Sequence, residues 1–177
     1  MLKQLRALWK AQGGLAAVEF AFIAPVMIVM FFGTVELSAA LDCRARVTSV
    51  ASTAADLVAQ ETSVSTADMT NVFSALNAII FPYASGPAKI VISSLVDNGH
   101  GAATVAWSNA QNATARTVGS TVTVPTGLIV SGSGGSVILA EISYAYSTAT
   151  TVYLTGPLTM ANSFYARPRR SLTVTHT

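Results

Sequence analysis

The sequence predicts an α+β protein: a long amino-terminal transmembrane helix continuing into a head whose second helix packs on an antiparallel β-sheet. Three observations carry this. An apolar run without a charged residue extends from Phe20 to Val35. Apolar residues then recur at three- and four-residue steps, first over Val47–Val58 and again over Met69–Ile80. From Lys89 the pattern changes to β-branched stretches separated by Gly, Pro, Asn and Ser clusters. The chain is thereby parsed into a basic leader over 1–14, a transmembrane and extended helix over 15–61, and an α+β head over 62–177.

The amino end carries Lys3, Arg6 and Lys10, then Gly13-Gly14. Leu15 to Val35 is roughly 21 residues, close to the ~20 that cross a ~30 Å bilayer core. Basic residues ahead of such a span predict a cytoplasmic amino terminus and a head on the far side of the membrane. Glu19 is the lone carboxylate in the span. At mid-bilayer such a group costs about 2.5–3.5 kcal/mol and is functional by default. Four residues past Leu15 it is only about 6 Å along the helix, near the cytoplasmic interface. One reading makes it an anchor-end carboxylate facing headgroups. The other makes it the partner of a new charge: a cut after Gly14 frees an α-amino group on Leu15, with a pKa near 7.7–8.0. In apolar surroundings the two attract strongly.

Three processing outcomes follow from the residues. A cut after Gly14 leaves the helix on the mature chain. An ordinary secretory signal would instead end at Ser38-Ala39-Ala40 and release a chain starting at Leu41. An uncleaved signal anchor would keep Met1. The Gly-Gly…Glu spacing favours the first, and a carboxylate so early in an apolar region disfavours the second.

Pro25 removes a backbone donor and predicts a kink. The helix is expected to run to about Glu61, with Val47, Val50, Ala51, Ala54, Leu57 and Val58 on its apolar face. Glu36, Asp42, Arg44 and Arg46 fall at the outer interface as a solvated face. Thr62 to Thr66 is a polar break. Ser65 is then an N-cap with Asp68 three residues on, a capping box with Asp in the usual Glu position. Met69, Val72, Phe73, Leu76, Ile79 and Ile80 form the core stripe of a second helix, which Pro82 ends near Ile80. Strands are expected over Lys89 to Val96 and Thr104 to Ser108, joined through the Asp97-Asn98-Gly99-His100-Gly101 turn, with Trp107 as a core anchor. Asn109 to Ser120 is read as a loop, Thr121 to Val124 and Leu128 to Val130 as short extended pieces, and Ser131 to Gly135 as flexible. Val137 to Tyr146 is the strongest strand. Ile138, Ala140, Ile142, Tyr144 and Tyr146 share one of its faces; Glu141, on the other, is solvated or paired with a tail arginine. Thr148 to Gly156 is polar with room for a short strand, and Phe164 to Thr175 supplies a terminal edge strand broken by Pro168.

Composition narrows the function. Charged residues are 10% of the chain, far below the ~25% of soluble domains, as suits a membrane-anchored chain. A net charge of +2 is too weak to predict a nucleic-acid partner. The single cysteine, Cys43, excludes an intramolecular disulfide and reads as a packed helix residue. His100 and His176 lack a second His or Cys at metal-ligand spacing. No metalloprotease, nucleophile-elbow or phosphate-loop motif is present. No enzyme activity, metal or cofactor is expected. Arg167, Arg169 and Arg170 make a basic cluster that either blocks strand pairing at an edge or contacts a neighbouring subunit or acidic surface polymers.

The string GGLAAVEFAFIAPVMIVMFFGTVEL, from Gly13 to Leu37, resembles the TadE/TadG-like minor pseudopilins of the tight-adherence (Flp-type IV) pilus system. Val105-Ala106-Trp107-Ser108, Ala140 to Tyr144 and Tyr165 to Arg169 extend the likeness. The resemblance implies a class III signal cut between Gly14 and Leu15 by a prepilin peptidase. It links Glu19 to processing and assembly, with Phe20 beside it. It implies a pilin-like head and a bacterial inner-membrane location with the head periplasmic or incorporated in a pilus. Its implied partners are other pilins and pseudopilins, an inner-membrane assembly platform and the lipid bilayer, in the service of surface attachment. Major pilins of this system are much shorter and usually have Glu-Tyr where this chain has Glu19-Phe20, which favours a minor subunit. The alternative is a single-pass, membrane-anchored periplasmic binding domain with no filament role; a third reading, an anchored enzyme, requires a pocket with converging titratable groups.

Overall fold

The structure, a computed structural model, describes residues 13–99, 102–129, 132, 134–148 and 156–177. The expectations for Lys3, Arg6, Lys10, His100 and most of Thr148 to Gly156 lie outside the described residues. Helix α1 (Gly13–Ala59) is followed by β1 (Ser63–Val64), α2 (Thr66–Ile80), β2 (Ala88–Asp97), β3 (Ala103–Gln111), β4 (Thr121–Val122), β5 (Ser136–Tyr146), β6 (Leu158–Ala166) and β7 (Thr175–His176). The α+β class is as the sequence predicts. The chain divides into two units after Ala40, so the outer part of α1 folds with the head.

Within the head, α1 buries Cys43, Val47, Ala51, Ala55 and Ala59 at four-residue steps, with Val50, Ala54 and Val58 beside them. Small side chains on this face allow close backbone approach. Leu57, placed on the apolar face by its spacing, is only half-buried, and Ala55 and Ala59 take the core instead. The helix ends at Ala59, two residues short of the expected Glu61.

Helix α2 begins as its sequence dictates. The Ser65 hydroxyl accepts from the Asp68 amide at 3.2 Å, and the Asp68 carboxylate accepts from the Ser65 amide at 2.9 Å. Both halves of the capping box are therefore made, each satisfying a donor that the helix start leaves unpaired. Met69, Leu76 and Ile80 are buried. Val72, Phe73 and Ile79 are half-buried.

Five strands form a curled antiparallel sheet in the order β4-β3-β2-β5-β6. Ile90 pairs with Ile142 and Ile92 with Ala140, so these residues share one face with Ile138 and Tyr144. Asn162 pairs with Ile142 across β5 and β6, and its amide donates to the Thr48 hydroxyl of α1 at 2.9 Å. The helical layer thus covers this inner face. Trp107 lies on it opposite Ser94; a bulge at Ser94/Leu95 then skips Ala106, which is exposed. The bulge keeps Leu95 opposite Val105, so the apolar residues beyond it still fall on one side.

The outer face is buried at one end only. There Leu95, Ala103, Val105 and Leu139 pack with Val122, Val124, Ile129 and Tyr165, so the connection after β4 is part of the core. This corrects the expected extended pieces: the strand is Thr121–Val122 alone, and residues 126–129 form a turn with Gly127 at φ +87°. β3 also runs on to Gln111, into the predicted loop.

The terminal edge strand is Leu158–Ala166 rather than the expected segment starting at Phe164. Cross-strand partners in β5 set this span, from Tyr146–Leu158 to Ile138–Ala166. The tail then returns to the helices. The Arg169 amide donates to the Ala59 carbonyl at 2.9 Å, β7 pairs in parallel with β1, and the Trp107 indole donates to the Val174 carbonyl at 2.7 Å.

Candidate assembly and membrane segment

The first part of α1 is the apolar segment. It lies within a helix that qualifies by length and composition to cross a membrane, and the most apolar window has mean hydropathy 2.4 with none of it buried. Leu15, Phe20, Phe22 and the large apolar residues on to Val35 are exposed. Burying such a surface is favourable at roughly 25 cal/mol per Å². The Thr34 hydroxyl donates to the Met30 carbonyl at 2.8 Å, which satisfies a polar group that lipid would leave unpaired. Pro25 is accommodated inside the helix.

Gly13, Gly14, Leu15 and Glu19 are all helical. Residues four apart share a helix face, so an amino terminus created at Leu15 would stand one turn from the Glu19 carboxylate. Among the described residues the ion pairs are Asp42–Arg46, Arg116–Glu141 and Arg169–Asp56; Glu19 is in none of them. Phe20 beside it is exposed.

The tail arginines separate into different roles. The Arg167 guanidinium donates to the Leu128 carbonyl at 2.8 Å and also to the Gly127 carbonyl, pinning the turn that covers the outer sheet face. Arg169 pairs with Asp56 of α1, which joins the tail to the helix. Arg170 is exposed.

The predicted interface charges are partly organised. The Arg46 guanidinium donates to Asp42 at 2.9 Å and to the Ile79 carbonyl at 3.2 Å, and also to the Phe81 carbonyl. It therefore caps the carboxyl end of α2, where unpaired carbonyls and the helix dipole favour a cation. The Tyr83 hydroxyl donates to Asp42 at 3.1 Å. The hydrogen bond from Arg46 holds the Asp42 carboxyl below its ordinary range. Burial, then the Asp42 contact, pushes the Tyr83 hydroxyl up to about 12. Cys43, next in the chain, is buried, and that burial raises its thiol.

Glu141 does not pair with the tail. Arg116, from the connection after β3, meets it with two bonds of 2.8 and 2.7 Å. The hydrogen bonds to Glu141 raise the guanidinium pKa. The Arg116 amide also donates to the Ser108 hydroxyl at 3.0 Å, and Ser108 meets Ser93 at 2.9 Å. This corrects the reading of Glu141 as solvated or bound to a tail arginine: register puts it on the outer face, where the 112–116 segment passes. The pair borders a groove of about 650 Å³ lined by Lys89, Thr114, Ser143, Ala161 and Asn162, among others. Among the described residues no group of three or more His, Cys, Asp or Glu could hold a metal ion.

Sequence reasoning had not singled out Arg116 or Tyr83. The i,i+4 spacing of Asp42 and Arg46 is a readable signal for their pair. No local pattern announces contacts made across 25 to 41 residues.

No curated protein and no solved structure matches the chain. The family model for TadE-like proteins matches residues 14–56, which is the apolar segment and most of the remainder of α1. The chain is thus similar to TadE-like proteins over that helix, and the head lies outside the match.

Proposed function

We propose that this chain is a minor pseudopilin that takes part in assembling a tight-adherence type IV pilus for surface attachment. The supporting observation is the coincidence of three features on one helix. The TadE-like match begins at residue 14, Gly13 and Gly14 stand immediately before the expected cut, and the lone carboxylate stands one turn beyond it. In this reading a prepilin peptidase cleaves between Gly14 and Leu15 on the cytoplasmic side. The new ammonium of Leu15 and the Glu19 carboxylate then neutralise each other, either within one subunit or between neighbours. The helix is held in the bacterial inner membrane until the assembly platform brings it beside other pilins and pseudopilins. The head sits on the periplasmic side, and Phe20, Arg167, Arg169 and Arg170 are candidate contacts with adjacent subunits. The role is structural rather than catalytic.

The test is co-expression with and without the prepilin peptidase, followed by mass determination of the membrane-extracted chain. An amino terminus at Leu15 that depends on the peptidase supports the reading; a terminus at Met1 or Leu41 in its presence refutes it. Gly14→Val should keep the leader on. Glu19→Ala should lower incorporation into pili more than membrane insertion, and full incorporation of that variant would defeat the charge-pairing idea.

The outer-face groove favours a second reading, an anchored periplasmic binding domain. It predicts a chain whose membrane location and processing are indifferent to the peptidase.

A further inference from the structure

Strand β6 ends the five-stranded sheet on one side, and among the described residues no strand pairs with its outer edge. The opposite edge is the two-residue β4, whereas β6 offers nine residues. Edge strands are ordinarily blunted by a charge, a proline or a bulge. Leu158–Ala166 contains neither a charged residue nor a proline.

The register fixes which backbone groups face outward. The Gly135 carbonyl, just ahead of β5, accepts from the Asp97 amide of β2 at 3.1 Å. The Ser136 amide turns the other way, to the Leu172 carbonyl at 3.0 Å. Even-numbered residues of β5 therefore bond toward β6, and their partners there are also even-numbered. Thr159, Ala161, Ser163 and Tyr165 thus direct their amides and carbonyls to the open edge. In keeping with this, the Ser163 amide donates to the Asn162 side chain at 2.8 Å, and not to β5. Among the described residues no hydrogen bond takes up the amides of Thr159, Ala161 and Tyr165.

The outer-face groove reaches this edge. Lys89 lies opposite Ser143, and Ser143 opposite Ala161; all three line the groove. Lys89 and Ala161 are two strand spacings apart, about 10 Å, with only a serine side chain between them. Lys89 is exposed and belongs to none of the ion pairs among the described residues. Arg116 gives Nε and Nη2 to Glu141, which leaves Nη1 to spare. Two cations therefore stand against one carboxylate in the groove.

We propose that β6 takes up an extended segment of a different protein chain as a further strand, and that this segment carries a carboxylate side chain opposite Ala161. Its backbone bonds to the open groups of Thr159, Ala161 and Tyr165, and side-chain fit supplies the specificity. Directly opposed residues share a face, so the carboxylate lies on the outer face and enters the groove toward Lys89 and Arg116. The residues before and after it fall on the inner face, beside Leu158 and Phe164, which are 51% and 44% exposed. Apolar side chains suit those positions. Charge argues against a second copy as the occupant: β6 paired antiparallel with itself over its full length sets Ser163 opposite Ala161 and brings no carboxylate. The proposal concerns the head alone and holds whether or not the chain joins a pilus.

The experiment uses the full-length chain in detergent micelles and a terminally blocked peptide, Thr-Val-Thr-Val-Glu-Val-Thr-Val-Thr, with its Gln counterpart. Binding is followed by titration and by amide exchange. The Glu peptide should slow exchange at Thr159 and Ala161 by about tenfold or more. It should bind about two- to fivefold more tightly than the Gln peptide at low salt. Lys89→Gln should remove that preference and leave binding of the Gln peptide unchanged. Ala161→Pro deletes an edge amide without touching the ladder to β5, and should abolish binding of both peptides; its thermal unfolding shows whether the head is intact. If the head is not intact in that variant, protection at Thr159 and Ala161 in the parent decides. Absence of binding, or binding that leaves those two amides unprotected, overturns strand addition. Equal binding of the two peptides overturns the acidic occupant. Protection that rises with protein concentration alone, without peptide, puts a second copy in place of the partner and also overturns the proposal. The amino terminus found with the prepilin peptidase is independent of all these outcomes, so a failure here is distinct from a failure of the pilus reading.

Discussion

Trp107→Phe tests how the tail is held. The indole N–H donates to the Val174 carbonyl at 2.7 Å, and both residues are buried, at 7% and 2% exposure. Phenylalanine keeps most of the apolar ring and removes the donor. A buried acceptor left without a partner costs about 1–3 kcal/mol, and the smaller ring forfeits some packing against the His176 ring, 5.6 Å away between centroids. The expected loss is about 2–3 kcal/mol, which for a head of this size lowers the Tm by roughly 6–15 °C. The assay is thermal unfolding in detergent micelles, paired with amide exchange. The Thr175 amide donates to the Thr62 carbonyl and the Thr177 amide to the Val64 carbonyl, so both should exchange faster in the variant. A Tm within about 1 °C of the parent, or unchanged exchange at Thr175 and Thr177, would refute the assignment of Val174 as the latch that fixes the tail.

Other expectations concern the helix face, the outer-face ion pair and acid stability. Ala55→Leu inserts bulk at a fully buried position of α1 and should destabilise the head by about 1–3 kcal/mol, whereas Leu at exposed Ala45 should leave thermal unfolding unchanged. A double-mutant cycle on Arg116 and Glu141 should return a coupling of only about 0.5–1 kcal/mol, because each side chain is about a third exposed and solvent screens the pair; a coupling of several kcal/mol would be inconsistent with that screening. Asp42 and Asp68 have folded-state pKa values held below 3.8, by Arg46 and by Ser65 respectively. Their contribution is present above that value and is lost as pH falls through the lower folded-state values. Asp42→Asn with Asp68→Asn should therefore flatten the stability profile below about pH 4, and an unaltered acid limb would count against both contacts.

The amino-terminal half was readable because its signals are local. A span of apolar residues with one carboxylate at Glu19 declares itself by length and hydropathy. Ser65 and Asp68 announce the start of α2 because a capping box is made within four residues, and Pro82 marks its end for an equally local reason. Alternation along Val137 to Tyr146 gave the inner face of β5, since side chains on a strand point to opposite faces in turn.

The outer sheet face was not readable in the same way. Nothing near Glu141 in the chain says that Arg116 will meet it; that pairing exists because the register of β5 against β2 puts Glu141 on the outer face, under the connecting segment that carries Arg116. Arg167, Arg169 and Arg170 look alike as a basic run, yet one binds the turn at Gly127 and Leu128, one binds Asp56, and one is exposed. Leu158 to Gly-poor β6 had no strong alternation of its own and became a strand because β5 offers it a ladder. Apolar spacing and caps act over one or two turns of backbone, so the residues themselves dictate them. Partners across a sheet, or between a tail and a helix, are chosen by burial and hydrogen-bond satisfaction over the whole head, and they emerge only when the layers close.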